Sequence, residues 1–185
     1  MASTIEGKKR LVDGNAMFRK NVDPTVLSRL ARKQEPFVAV LGCSDSRVPP
    51  SKIFNLSLGD AFVVRVAGNS ACDPSVMGSL EYAVKHLKVK VLVVLGHTGC
   101  GAVKVAMECS ELDNLEGVLG DIDEARSKVK GRSPSDMDAI AEMNVRLQLR
   151  RVIDGSKIIA DAVRDGQLEV YGVMYDLASG KIRFI

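Results

Sequence analysis

Two short apolar runs, each leading into a motif with metal-binding side chains, place the strongest constraint on the fold. Residues 37–41 precede the motif Cys43-Ser-Asp-Ser-Arg47, and residues 91–95 lead into His97-Thr-Gly-Cys100. Runs this short are typical of buried strands and do not favour a helix. The carboxyl ends of parallel strands lie along one edge of a sheet, where ligands bind in α/β proteins. We therefore expect the sulfur and nitrogen donors of the two motifs to meet at that edge.

Three of these side chains form the donor set of a zinc site. Cys43 and Cys100 offer thiolates and His97 offers an imidazole, a combination that suits zinc. Three protein ligands leave the fourth tetrahedral position open for water or substrate, whereas a structural site is closed by a fourth ligand. We therefore predict a zinc site whose character depends on that fourth position.

Asp45 bears on that question, because it follows the first cysteine by two residues and precedes an arginine by two. Its carboxylate could bind the metal and close the site, or it could pair with the planar guanidinium of Arg47 through two parallel hydrogen bonds. We predict the pair with Arg47. A carboxylate held in this way has a depressed pKa, remains a hydrogen-bond acceptor and can orient a metal-bound water without binding the metal.

The rest of the pattern predicts an α/β fold with a central, mostly parallel β-sheet flanked by helices. Apolar runs separated by helical segments favour parallel strands, because a crossover helix is the usual link between parallel neighbours. Strands are predicted at residues 37–42, 61–66, 89–95 and 168–176, with a hairpin-paired edge strand at 182–185. Helices are predicted at residues 5–20, 24–33, 52–58, 74–88, 102–106, 135–154 and 155–165, and a charged, mostly solvated segment at 109–132.

Length and composition fit one domain over residues 1–185, with a helical arm at 1–33 and an α/β core at 34–185. The net charge of +3 is too small to indicate nucleic acid or a membrane as partner, and 4% aromatic residues do not indicate base stacking. The charged first twenty residues contain no signal-peptide core or transmembrane run, so the cytoplasm is the expected compartment. Cys72 and Cys109 are expected to be free thiols.

The motif Cys43-Ser-Asp-Ser-Arg47 followed by His97-x-x-Cys100 resembles the zinc signature of the β-class carbonic anhydrases. The likeness covers nearly the whole chain, through Gln34 and the segments 59–65, 67–69, 79–83 and 170–177. The resemblance implies a Zn2+ enzyme that reversibly hydrates carbon dioxide to bicarbonate and a proton. In that family the two cysteines and the histidine bind zinc, Asp45 orients a zinc-bound hydroxide, and Arg47 holds Asp45.

Three further residues match pocket positions of the same family, namely Gln34, Phe62 and Tyr82. The resemblance implies that they bind substrate from a facing subunit, as in the plant-like group of this family, whose N-terminal helices also extend toward a partner subunit. It therefore also implies a homodimer or a dimer-based tetramer. Without the resemblance, the three residues have ordinary explanations as an exposed amide, a core ring and an apolar helix position. His86 is expected to be a surface residue rather than a proton relay.

Four alternatives remain open beside this interpretation. The aspartate of some relatives binds zinc in an inactive state; the bicarbonate-regulated group has a tryptophan that this chain lacks, so we expect an open site at neutral pH. Related zinc hydrolases act on carbonyl sulfide or carbon disulfide, linear molecules that the motifs do not separate from carbon dioxide. A zinc-stabilised assembly protein is a non-enzymatic interpretation, disfavoured by the length of this chain. A cysteine phosphatase needs a longer loop between cysteine and arginine than the three residues here.

Overall fold

The computed structural model describes residues 4–108, 116–129 and 136–185. The chain divides into two compact units, one ending at Gln34 and the other running from Glu35 to Ile185. Among the described helices, none combines the length and the apolar character needed to cross a bilayer.

The N-terminal unit consists of two helices, α1 at Thr4–Asn21 and α2 at Pro24–Leu30. The Asp23 side chain caps α2 by accepting a hydrogen bond from the Thr25 amide at 2.8 Å, and proline occupies the first turn. This start is the predicted one, although α2 ends before the predicted end at Lys33. Along α1 several large apolar side chains are exposed, namely Ile5, Leu11, Val12, Met17 and Phe18.

The second unit is built on a five-stranded sheet with the strand order β2-β1-β3-β4-β5. The strands are β1 at Val38–Cys43, β2 at Ala61–Val66, β3 at Val91–His97, β4 at Glu169–Tyr175 and β5 at Ile182–Phe184. The first four are parallel, and β5 runs antiparallel to β4. The predicted α/β fold with a mostly parallel sheet is therefore confirmed.

The order of the strands places the ends of β1 and β3 side by side. After β2 the chain crosses to the other side of β1, so β1 pairs with both neighbours in parallel, and Gly42 lies opposite Leu95. Such a change in the direction of strand addition leaves a crevice at the carboxyl ends of the strands, where α/β proteins bind ligands. Cys43 ends β1 and His97 ends β3 at this crevice.

The two faces of the sheet are covered differently. The helices of this unit are α3 at Pro50–Ile53, α4 at Pro74–Lys85, α5 at Gly101–Met107, α6 at Glu116–Lys128, α7 at Met137–Asp154 and α8 at Lys157–Arg164. One face of β1, with Ala39 and Leu41, shares a core with side chains from α4 to α8. The other face, with Val38 and Val40, packs around Val48 and the segment that contains α3. Burial on both faces explains why β1 and β3 are continuous apolar runs.

The position predicted for a helix at residues 52–58 is wrong. The structure has α3 at Pro50–Ile53 instead, because the fixed φ of proline suits the first turn and its missing amide hydrogen is not needed there. Asn55 then adopts a positive φ of 50°, which is incompatible with a continuing helix.

The segment predicted to be charged and mostly solvated at residues 109–132 contains a helix that the prediction missed, α6, whose inner side is buried. Ile122 and Ala125 are fully buried, and Asp121 is buried as well. Widely spaced apolar residues among many charges conceal this helix in the sequence, and packing against α7 and α5 supplies the burial. Residues 109–115 and 130–132 of the predicted segment lie outside the described residues.

Gly96 allows the close approach of α7 to β3. A Cβ atom at this position would overlap Val145 Cγ2 and lie 3.0 Å from Met174 Sδ. We expect Gly96→Ala to lower the free energy of unfolding by about 1–3 kcal/mol, because the core must shift to admit a methyl group. Urea unfolding of the variant beside the parent measures this loss.

Gly120→Ala is the matched control, because a Cβ on this exposed α6 residue meets no atom within 4 Å. It should be neutral or stabilise by up to about 1 kcal/mol, since alanine is the better helix former. Equal losses in both variants would contradict the packing explanation.

Candidate active site

The three predicted metal ligands come from the carboxyl ends of two neighbouring strands. Cys43 is the last residue of β1, His97 is the last residue of β3, and Cys100 immediately precedes α5. Gly99 makes the return possible with a positive φ of 60°, which a side chain would strain. The chain therefore turns sharply after β3 and brings the second sulfur back toward the first.

The ligand atoms converge in a buried position. The sulfurs of Cys43 and Cys100 and a ring nitrogen of His97 all lie within 4.8 Å of one another. Ligands of a tetrahedral zinc ion stand roughly 3.5–3.8 Å apart, so small side-chain adjustments suffice to bind one. These residues are 4%, 3% and 1% exposed, respectively.

The histidine ring is oriented for metal binding. Its Nδ1 lies 2.9 Å from the carbonyl oxygen of Thr98, and its buried Nε2 has no hydrogen-bond partner among the described residues. A metal-binding histidine ordinarily donates its other ring N–H to a carbonyl or carboxylate, which fixes the tautomer. A buried nitrogen without a partner is rare, and a metal ion would satisfy it. The residues present therefore fit a zinc ion.

The electrostatics of the two cysteines favour one thiolate within the pair. A hydrogen bond from Cys100 lowers the pKa of the Cys43 thiol to about 4, against the opposing effect of burial, and His97 adds to the decrease. The same pairing, together with burial, raises the pKa of Cys100 above its usual value. Burial alone would lower the pKa of His97, but the neighbouring Cys43 and the Thr98 carbonyl raise it overall. Metal binding requires thiolates, and the lowered pKa of Cys43 favours the thiolate form of that ligand.

Asp45 is held by Arg47 next to the ligand atoms. Arg47 Nε donates to Asp45 Oδ1 at 2.9 Å, Nη2 donates to Oδ2 at 2.6 Å, and the Arg47 amide donates to Oδ1 at 2.9 Å. These hydrogen bonds hold the pKa of Asp45 well below its usual range. Asp45 Oδ2 lies 3.9 Å from His97 Nε2, so a carboxylate faces the ligand set while its guanidinium partner anchors it from the other side.

Arg65 is a residue that sequence reasoning did not single out. It extends from β2 to the neighbouring strand end, where Nε donates to the carbonyl oxygen of Cys43 at 3.0 Å and Nη2 donates to that of Asp45 at 2.6 Å. An arginine interrupting an apolar strand is the only sequence signal for this role. The guanidinium holds the backbone of both a ligand and the carboxylate, so it fixes their separation.

The predicted pocket residues lie in different parts of the chain. Phe62 on β2 and Tyr82 on α4 lie next to each other, with ring centroids 6.0 Å apart. The centroids of the Tyr82 and His86 rings are 5.3 Å apart, and Tyr82 is 45% exposed. Gln34 is the last residue of the N-terminal unit. Because the resemblance assigns all three to the pocket of a facing subunit, their role remains a prediction about an assembly.

Of the two remaining cysteines, Cys72 is a free and exposed thiol, as predicted. Cys109 lies outside the described residues.

Comparison with known proteins identifies relatives over almost the whole chain. The family model described as carbonic anhydrase matches residues 38–182. Carbonic anhydrase 2 of Mycobacterium tuberculosis is 37% identical over 182 residues, covering 95% of this chain and 86% of the relative. The carbonic anhydrase of Mycolicibacterium smegmatis is 38% identical over 194 residues, covering 98% of this chain and 93% of the relative.

Solved structures agree with these sequence relatives. A tetrameric β-carbonic anhydrase from Sordaria macrospora superposes with a TM-score of 0.84 at 29% identity, covering 98% of this chain and 96% of that one. The Coccomyxa β-carbonic anhydrase in complex with acetazolamide gives a TM-score of 0.77 at 34% identity, covering 98% of this chain and 84% of that one. Since sequence, fold and the buried cysteine and histidine donors agree, the chain belongs to the β-carbonic anhydrase family.

Proposed function

We propose that this chain catalyses the reversible hydration of carbon dioxide to bicarbonate and a proton, with zinc as its metal. The observation that carries the proposal is the convergence of the Cys43, His97 and Cys100 donors within 4.8 Å, beside a carboxylate that Arg47 anchors. When bound, zinc supplies Lewis acidity, which makes a water molecule acidic enough to be a nucleophile near neutral pH. The chain's own residues then position that nucleophile and its substrate.

Asp45 is suited to orient the attacking water. Its Oδ1 already accepts two hydrogen bonds from Arg47, from Nε and from the backbone amide, whereas Oδ2 accepts one from Nη2. A carboxylate oxygen has two lone pairs, so Oδ2 retains one for a hydrogen bond from water. The depressed pKa keeps this group ionised, so it accepts a hydrogen bond from water and has no proton to donate. The water therefore turns its own lone pair toward the substrate carbon.

Arg47 and Arg65 keep Asp45 from binding the metal. Arg47 Nη2 also donates to the carbonyl oxygen of Gly99 at 3.2 Å, which ties the carboxylate to the loop that carries Cys100. Arg65 holds the Asp45 carbonyl from the opposite side. Moving Asp45 onto the metal requires these charge-assisted hydrogen bonds to break. We therefore propose that the fourth metal position is open to water at neutral pH.

We further propose that Gln34, Phe62 and Tyr82 bind substrate in a pocket completed by a second copy of the chain. The exposed apolar side chains of α1 and the exposed Tyr82 support a helical arm at residues 1–33 that reaches a partner subunit. A homodimer or a dimer-based tetramer follows from this arrangement. The β-carbonic anhydrase from Sordaria macrospora is tetrameric, which is consistent with such an assembly. We also propose a cytoplasmic location.

The function is tested by measuring zinc content and carbon dioxide hydration on the same preparation. We expect about one zinc ion per chain and hydration in a stopped-flow indicator assay with kcat/KM of about 10⁴ M⁻¹s⁻¹ or more. A sulfide-release assay with carbonyl sulfide separates the rival substrate. Zinc-loaded protein without hydration activity would contradict the proposal, and faster turnover of carbonyl sulfide would reassign the substrate.

Cys43→Ser and Cys100→Ser are each expected to abolish zinc retention. A serine hydroxyl is a far weaker zinc ligand than a thiolate, and two protein ligands hold zinc poorly. Metal analysis after gel filtration in the presence of a weak chelator measures the loss. Cys72→Ser is the matched control, since this thiol is exposed and free, and it should retain zinc like the parent. Full zinc occupancy in either ligand variant would show that the assigned ligand set is wrong.

Asp45→Asn is expected to retain zinc while kcat/KM falls by about 10²–10³-fold, the range for removing one preorganised hydrogen-bonding group from an active site. The amide keeps the shape of the side chain but presents a donor where the water needs an acceptor. Asp161→Asn, which removes a charge from an exposed ion pair on α8, should leave the rate unchanged. Rapid hydration by zinc-loaded Asp45→Asn would exclude the proposed role.

A further inference from the structure

Two buried amide side chains on α7 take no part in the mechanism described above. Asn144 is 1% exposed and Gln148 is fully buried, although both are polar. They are four residues apart and face the same side of the helix, where Gln148 Nε2 donates to Asn144 Oδ1 at 3.0 Å. Buried polar groups are costly unless they are hydrogen-bonded, so this pair requires an explanation.

Both amides bind the backbone of the turn after β2, which we call the 67–71 turn. Asn144 Nδ2 donates to the carbonyl oxygen of Gly68 at 2.8 Å, and Gln148 Oε1 accepts from the amide of Ala71 at 2.8 Å. The pair therefore holds the turn at both ends. Each of these atoms has a directional partner, so together they set the orientation of the backbone as well as its position.

Gly68 connects this turn to the metal centre. Two residues before it, Val66 lies opposite Cys43 in the sheet and accepts a hydrogen bond from the Ser44 amide at 3.0 Å, while the Gly68 carbonyl oxygen accepts from Asn144. The residue adopts a positive φ of 64°, and an added Cβ would lie 3.2 Å from Ile122 Cδ1. Gly68 therefore links α7 to the end of β2, which pairs with the end of β1 at Cys43.

We propose that Asn144 and Gln148 are positioning residues for the metal centre, which hold the 67–71 turn and with it the end of β2 that lies against Cys43. This inference rests on the proposed function, because it takes Cys43 to be a zinc ligand. Groups outside the ligand set that orient a metal ligand tune both the metal affinity and the electronic properties of the site, and here the amides act on the backbone that carries Cys43. An apolar pair could fill the same volume but could not direct the Gly68 carbonyl.

The test uses the metal and its cobalt substitute as probes and does not depend on activity. Asn144→Leu keeps approximate volume and removes the hydrogen bond to Gly68. We expect it to weaken zinc affinity by about 10–100-fold in competition with a chromophoric chelator, and to shift the thiolate-to-cobalt absorption of the cobalt-loaded protein. Gln148→Met, which acts only through Asn144 and the far end of the turn, should change both readouts in the same direction but by less.

Ser156→Ala is the matched control. Ser156 is also buried, but its hydroxyl donates to Glu81 at 2.7 Å and caps the start of α8 by accepting from the Ile159 amide. It should lower the melting temperature without changing zinc affinity or the cobalt spectrum. If Asn144→Leu resembles Ser156→Ala in these readouts, the amides serve only the fold and the proposal is wrong.

Two further outcomes are decisive. If Asn144→Leu does not fold, Gln148→Met decides: an unchanged zinc affinity and cobalt spectrum would overturn the proposal. If the parent binds cobalt through thiolates but does not hydrate carbon dioxide, the proposed function fails while the metal readouts still support or overturn the inference. The two failures are therefore distinguishable.

Discussion

The parallel pairing of β1 with β3 is the interaction on which the metal centre depends. It brings the end of one strand, with Cys43, next to the end of the other, with His97. Adjacent strands are about 4.8 Å apart, close to the spacing that two ligands of one metal ion require. The sheet thus provides most of the convergence before any side chain adjusts. The sharp turn at Gly99 supplies the rest by returning Cys100 to the same point.

Burial of charged groups at this site costs free energy, and hydrogen bonds from the surrounding residues offset that cost. Two sulfurs, an imidazole and the Asp45 carboxylate are close together at the end of the sheet. Charges so close are tolerated only when each has a partner. Arg47 binds the carboxylate through two nitrogens, and Arg65 binds the backbone beneath it. The same bonds that stabilise the site also leave one carboxylate lone pair for water, so stability and the proposed chemistry share one network.

Local patterns predicted the elements whose sequence signal is strong and failed where packing decides. Continuous apolar runs identified β1 and β3 because these two strands are buried on both faces. The predicted position of α3 was wrong because Pro50 begins this helix, two residues before the predicted start. The helix α6 was missed because its buried residues, such as Ile122, are few and surrounded by charges. Its stability comes from contact with α7, which no window of local sequence contains.

By itself the sequence determined the donor set, the strands that deliver it and the expectation that Arg47 would pair with Asp45, because these depend on residue chemistry and on neighbours along the chain. Only the tertiary structure decided which distant groups support them. Arg65 lies 22 residues from Cys43, and Asn144 lies 76 residues from Gly68, yet each pair is joined by a hydrogen bond. Polar partners at such separations are chosen by how strands and helices pack, and packing depends on the whole chain at once.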